Sequence, residues 1–191
     1  MIGIAANGKR AGSAHSSFTI RPGSPFSWFT YDEDSDGAGL TITGLSQEWH
    51  DLDDPAKNNL IIPSALYGKR VAEIGSYAFV SEKNTLVSVI VDEPVYITGI
   101  FSIATGAFQG CFDLKTVIIP DSVISIGNIP FFLCFSLESV VIKSKSPPQI
   151  GNCPFAFLEE PKRTIFVPNG SVEAYKTAPI WSDYASQIVG F

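Results

Sequence analysis

The stretch Ile103-Ala104-Thr105-Gly106-Ala107-Phe108-Gln109-Gly110-Cys111-Phe112-Asp113-Leu114-Lys115-Thr116-Val117-Ile118-Ile119-Pro120 decides the fold, because it contains two boxes that recur. Thr116–Ile119 is a β-branched run closed by Pro120, which has no N–H to offer a ladder, so it reads as a short strand and its stop. The same box returns as Asn59-Leu60-Ile61-Ile62-Pro63, Ser88-Val89-Ile90-Val91-Asp92, Ser139-Val140-Val141-Ile142-Lys143 and Thr164-Ile165-Phe166-Val167-Pro168. The closing positions 63, 92, 120, 143 and 168 lie 29, 28, 23 and 25 residues apart. Ile103–Phe108 returns as Ile74-Gly75-Ser76-Tyr77-Ala78-Phe79, Ile126-Gly127-Asn128-Ile129-Pro130-Phe131 and Ile150-Gly151-Asn152-Cys153-Pro154-Phe155, at spacings of 29, 23 and 24. Two boxes that share one period make an internal repeat, and a period of this size means a solenoid.

One repeat cannot bury its apolar face alone, so its neighbours must. Stacked as parallel strands about 4.8 Å apart, the boxes place Val89 over Leu60, Val117 over Val89, Val140 over Val117 and Ile165 over Val140. Phe79, Phe108, Phe131 and Phe155 then form a second ladder on the opposite wall of the core. The connections opposite the strands read as irregular or short helical segments.

Outward from the repeats the pattern changes. Residues 1–25 are rich in Gly, Ser and Ala and read as a flexible segment with a weak strand at Ser17–Ile20. Residues 26–56 read as a β-hairpin cap, with strands at Phe26–Tyr31 and Leu40–Leu45 around the turn Asp32–Gly39, then a polar loop from Ser46 to Ala56. The solenoid is expected over 57–168. A helical cap is expected over 169–191, with a helix at Val172–Thr177, stopped before Pro179, and with Trp181 and Ile188 sealing the core.

The paired boxes, above all Leu114–Val123 and Gly106–Cys111, resemble the BspA-like leucine-rich repeats of bacterial surface proteins. The ending Val167–Lys176 with Trp181 is similar to the C-terminal cap common in that family. The resemblance covers roughly 57–185. Chain departures are Pro130 and Pro154 for Ala, Asp92 for Pro, and a first repeat lengthened around Tyr67–Arg70. The expected fold is a leucine-rich-repeat solenoid, α/β but mainly β and right-handed. About five strand-bearing turns would present a parallel concave sheet. The resemblance implies an extracellular or cell-surface binding protein with no catalytic activity in the repeats. Its partner would be a protein or another macromolecule of a host or neighbouring cell.

Composition agrees. Of 191 residues 45% are apolar and only 17% charged, so disorder is excluded for most of the chain. The net charge of −6 repels a phosphate backbone, which argues against nucleic acid. No apolar run approaches the roughly 20 residues of a membrane span. Met1–Ala6 is too short for a signal peptide's apolar core, so a cytoplasmic protein or a mature form is expected from that stretch alone. With two His and three Cys, few side chains are suited to neutral-pH catalysis, and no cofactor is expected.

The first candidate site is the outward row of the strands: Ile61, Ile90, Ile118, Val141 and Phe166, beside the small polar row Asn59, Ser88, Thr116, Ser139 and Thr164. An apolar ladder on a sheet suits a protein partner or a second copy of the chain. β-branched residues also simply suit a pleated surface. Asp32, Asp34 and Asp36 before Gly37 imitate the start of a calcium loop, but Thr43 stands where the closing Glu belongs, so an acidic turn is the plainer reading. Cys111 and Cys134 each follow a box Phe by three positions and read as small buried residues, while Cys153 is out of phase. His50 reads as a surface-loop residue. A carbohydrate-binding module, the alternative function, would need exposed Trp or Tyr grouped on one face; Trp28, Trp49 and Trp181 all fall in the expected caps.

Overall fold

In each strand box side chains alternate between half-buried and buried, and the box is extended wherever it recurs. The computed structural model of the chain describes residues 25–35, 37, 39–82, 84–91, 101–155 and 163–191. Among the described residues the first strands form an antiparallel hairpin of β1 (Phe29–Glu33) and β2 (Gly39–Leu45), followed by the short helix α1 (Gln47–Asp51). Next come β3 (Asn59–Ile62) and a second antiparallel pair, β4 (Ala65–Leu66) with β5 (Lys69–Ile74). Then follow β6 (Ser88–Val91), β7 (Phe101–Ile103), β8 (Thr116–Ile119), β9 (Val123–Ile126), β10 (Ser139–Ile142), β11 (Gln149–Ile150) and β12 (Thr164–Val167). Helix α2 (Val172–Thr177) and β13 (Ile188–Gly190) close the chain.

These strands sort into two sheets. One runs β13-β12-β10-β8-β6-β3, all parallel, with the in-register stacking the repeat demands: Leu60 against Val89, Val89 against Val117, Val117 against Val140 and Val140 against Ile165. The other runs β1-β2-β5-β7-β9-β11, with β4 beside β5, and is parallel from β2 onward. The wall opposite the strand boxes is therefore a second sheet, where the sequence suggested irregular or helical segments. Its inward residues sit three apart, Val71 with Ile74 and Val123 with Ile126, with two partly or fully exposed residues between them. The ladder shifts register between Phe101 and Ser102. That spacing hides the period of two by which a strand is read.

The hairpin differs from its sequence reading in a related way. Phe26–Trp28 is a 3-10 turn and the first strand begins at Phe29. β2 joins the second sheet directly, with Ile42 beside Ile74. Residues 46–56, read as a loop, contain α1. Ser46 accepts a hydrogen bond from the Trp49 N–H at its start, and Lys57 Nζ donates to the carbonyls of Trp49, His50 and Leu52 at its end. The helix Val172–Thr177 forms as expected, although the Ser171 side chain makes no capping bond. Ile188 belongs to a strand that extends the six-stranded sheet past Thr164–Val167. Ser17–Ile20, Asp36 and Asp92 lie outside the described residues.

One core fills the space between the sheets. Phe79, Phe108, Phe131 and Phe155 stack nearly face to face, with centroids 5.0, 5.6 and 5.7 Å apart and planes within 12° of parallel. Trp49 is buried beyond the first rungs. At the other end Trp181 Nε1 donates to the Pro148 carbonyl at 2.9 Å, and its ring meets Tyr175 edge-on.

Candidate partner-binding face

The outward side of the six-stranded sheet carries two continuous rows. Ile61, Ile90, Ile118, Val141 and Phe166 lie side by side, each directly opposite the next across a parallel pair of strands. They are half-buried because each shields its neighbours along the ladder. The structure adds a sixth rung that the repeat pattern missed: Val189 lies opposite Phe166 and is 47% exposed at the sheet's edge. Ile188–Gly190 lacks the strand box, so only the pairing reveals it. Beside this row run Asn59, Ser88, Thr116, Ser139 and Thr164, also in register, and the Ser88 hydroxyl donates to Asn59 Oδ1 at 2.8 Å.

The second sheet's outward row is of another kind. Thr41, Glu73, Ser102, Ser125 and Gln149 follow one another across its parallel strands, with the Ser102 hydroxyl donating to Glu73 at 2.7 Å. One sheet thus presents an apolar row beside a small polar one, whereas the second presents this polar row with Ile124, 49% exposed, next to it on β9.

The remaining candidates are occupied with structural tasks. The Asp34 carboxylate accepts from the Thr41 hydroxyl and its backbone carbonyl from the Gly37 N–H, so the residue ties the β1–β2 turn together. Cys111 and Cys134 are buried, and their thiols donate to the carbonyls of Phe79 and Phe108 in the preceding repeat. Burial pushes the Cys134 thiol up to about 12 and raises Cys111 further, with Cys134 and Glu82 adding to the latter. Cys153 is exposed. His50 stands in the last turn of α1, 3.6 Å from the carboxylate of Glu82. Glu82 occupies, three residues after Phe79, the position that Cys111 and Cys134 hold in later repeats. It is buried and takes hydrogen bonds from Ser81 and Thr85. Among the described residues no group of three His, Cys, Asp or Glu side chains is placed to hold a metal ion, and no helix is long and apolar enough to cross a membrane. Trp49 and Trp181 are buried. Among the described residues exposed aromatics group in two places: Phe26 and Tyr31 around Tyr67 of the β4–β5 turn, and Phe135 beside Phe112.

Residues 72–176 match the model of the BspA type leucine rich repeat region, in 6 copies. The crystal structure of the Treponema pallidum leucine-rich repeat protein is similar, with a TM-score of 0.53 at 21% identity, over 82% of this chain and 69% of that one. That likeness is one of fold. A leucine-rich repeat protein from Bacteroides ovatus aligns over 82% of this chain and 56% of its own at 14% identity, with a TM-score of 0.28. No curated protein matches the chain in sequence.

Proposed function

This chain belongs to the BspA-type leucine-rich repeat family, and from that premise we propose that it is a non-enzymatic binding protein of a cell surface or secreted fluid. Its partner surface is the apolar outward ladder of the six-stranded sheet, from Ile61 to Val189, flanked by Ser88, Thr116, Ser139 and Thr164. In this reading residues 57–168 carry most of that surface, with 26–56 and 169–191 closing its ends. The partner is a protein of a host or neighbouring cell, or a second copy of the chain. The supporting observation is the asymmetry of the two sheet faces. Both are built from short parallel strands, yet one carries a row of Ile, Val and Phe and the other a row of Thr, Glu, Ser and Gln. A continuous apolar patch on a soluble surface is costly to leave wet, and it marks a place where something docks.

The test places one charge on each face. Ile118→Asp is expected to weaken capture of surface proteins from neighbouring cells, and self-association in sedimentation, by about tenfold or more. Ser125→Asp on the polar face leaves both unchanged. If binding and self-association survive Ile118→Asp while circular dichroism shows an intact fold, the six-stranded face is not the site.

A further inference from the structure

A second exposed apolar cluster lies off both ladders, where the β4–β5 turn meets β1 and the 3-10 turn before it. Phe26, Tyr31 and Tyr67 are 47%, 37% and 61% exposed. The Tyr67 ring touches both others, with centroids 5.8 Å away in each case. At its rim Lys69 Nζ and Glu33 Oε2 form an exposed ion pair at 2.7 Å. Glu33 follows Tyr31 by two positions on β1, and Lys69 follows Tyr67 by two across the β4–β5 turn, so the same two hairpins supply rings and charges.

The backbone gives an independent reason to single out this spot. Tyr67 and Gly68 are the two residues linking β4 to β5, and both have positive φ, +50° and +81°. That is the pattern of a type I′ turn, whose favoured pair is Asn-Gly. A Tyr is strained where Asn would sit easily. Most of its ring faces solvent, and its ring partners are two more exposed aromatics, so core burial does not offset the strain. Exposed Tyr77 and Cys153 also have positive φ; at Tyr67 the strain coincides with the grouped rings, and the two together point to a use for the side chain.

We infer that the Phe26–Tyr67–Tyr31 cluster, with Glu33 and Lys69 at its edge, binds a neutral saccharide through the apolar face of a pyranose ring. A pyranose presents C–H groups on its face and hydroxyls around its edge. Aromatic faces suit the former; the two phenols, the carboxylate and the ammonium supply donors and acceptors for the latter. Phe26 meets the Tyr67 ring edge-on at 68° and Tyr31 meets it tilted at 45°, so the three form an angled cradle in which ring faces and phenol hydroxyls lie side by side, as a pyranose with its apolar face and hydroxyl edge requires. Asp32, Glu33 and Asp34 crowd the same hairpin end in a chain of net charge −6, which disfavours an acidic sugar.

Affinity electrophoresis through gels containing dextran, starch, mannan or xylan tests this. At least one of the four neutral polysaccharides is expected to retard the wild type. Tyr67→Asn should weaken that retardation by about tenfold while its thermal midpoint holds or rises, because Asn suits the turn. Phe26→Ala, outside both hairpins, should lose binding similarly, and Ile118→Asp should bind as the wild type does. Retardation by none of the four overturns the proposal. So does retardation that survives both Tyr67→Asn and Phe26→Ala.

Discussion

The two sheets of this molecule obey the same geometry and differ in what they show to solvent. Both stack short parallel strands around a common core, yet the outward row of one reads Ile61, Ile90, Ile118, Val141, Phe166 and Val189, and that of the other Thr41, Glu73, Ser102, Ser125 and Gln149. The polar row shows that extended strands in this solenoid do not require apolar outward residues. Strand propensity therefore does not by itself account for the apolar row, and the pleated-surface explanation loses most of its force.

The largest expected effect separates a core ladder from a surface ladder. Phe108 lies between Phe79 and Phe131 with no exposed surface, so Phe108→Ala should cost about 3–5 kcal/mol in chemical denaturation. Ile118→Thr keeps a β-branched side chain on a half-exposed row and should cost about 1 kcal/mol or less. An Ile118→Thr cost near that of Phe108→Ala would make the outward row a structural element and break the comparison on which the proposed binding face rests.

How the two sheets were encoded explains how far the sequence could be read. The six-stranded sheet was legible because Ser88–Val91, Thr116–Ile119 and their equivalents are β-branched runs that recur every 23–29 residues. Its outward row followed from the alternation of faces that any strand imposes. The second sheet was not, because its inward residues are three apart, as in Val123 and Ile126, and its strands are only two to six residues long once the hairpin is passed. Val189 escaped because its strand has no box, and the Tyr31–Tyr67 contact because it joins two hairpins 36 positions apart in a chain read locally. α1 escaped because five residues are too few to show a helical period.

The connections leading from the second sheet back to the first hold the buried thiols, and these give the next effect. Cys134 is held near 12 and Tyr175 near 12, each raised first by burial, and Cys111 is raised further. The folded state keeps these protons more tightly than the unfolded chain, so their contribution is intact below the ordinary thiol value of 9 and is lost as pH rises from there towards 12. Thermal midpoints should fall across that window, and Cys134→Ala, which has no thiol to ionise, should fall less steeply. An unchanged slope in Cys134→Ala would mean that the thiol ionises as freely folded as unfolded.

The smallest expected effect distinguishes how the chain leaves each sheet. Pro63, Pro120 and Pro168 follow strands of the six-stranded sheet, whereas the third residue after each box Ile on the other side has positive φ: Tyr77, Gly106, Ile129 and Cys153. Only one of the four is glycine, and there a Cβ would lie 2.5 Å from the Tyr77 ring, so that position needs the missing side chain as well as the left-handed backbone. Cys153 is exposed and has strain but no burial to lose. Cys153→Asn should therefore raise stability by about 0.5–1 kcal/mol, since Asn tolerates the left-handed region. Gly106→Asn, at the equivalent position, should lower it, because the new Cβ would displace Tyr77. Opposite signs from one substitution at two matched positions would show that strain sets the cost at Cys153 and packing at Gly106; equal signs would mean that one term governs every corner of the second wall.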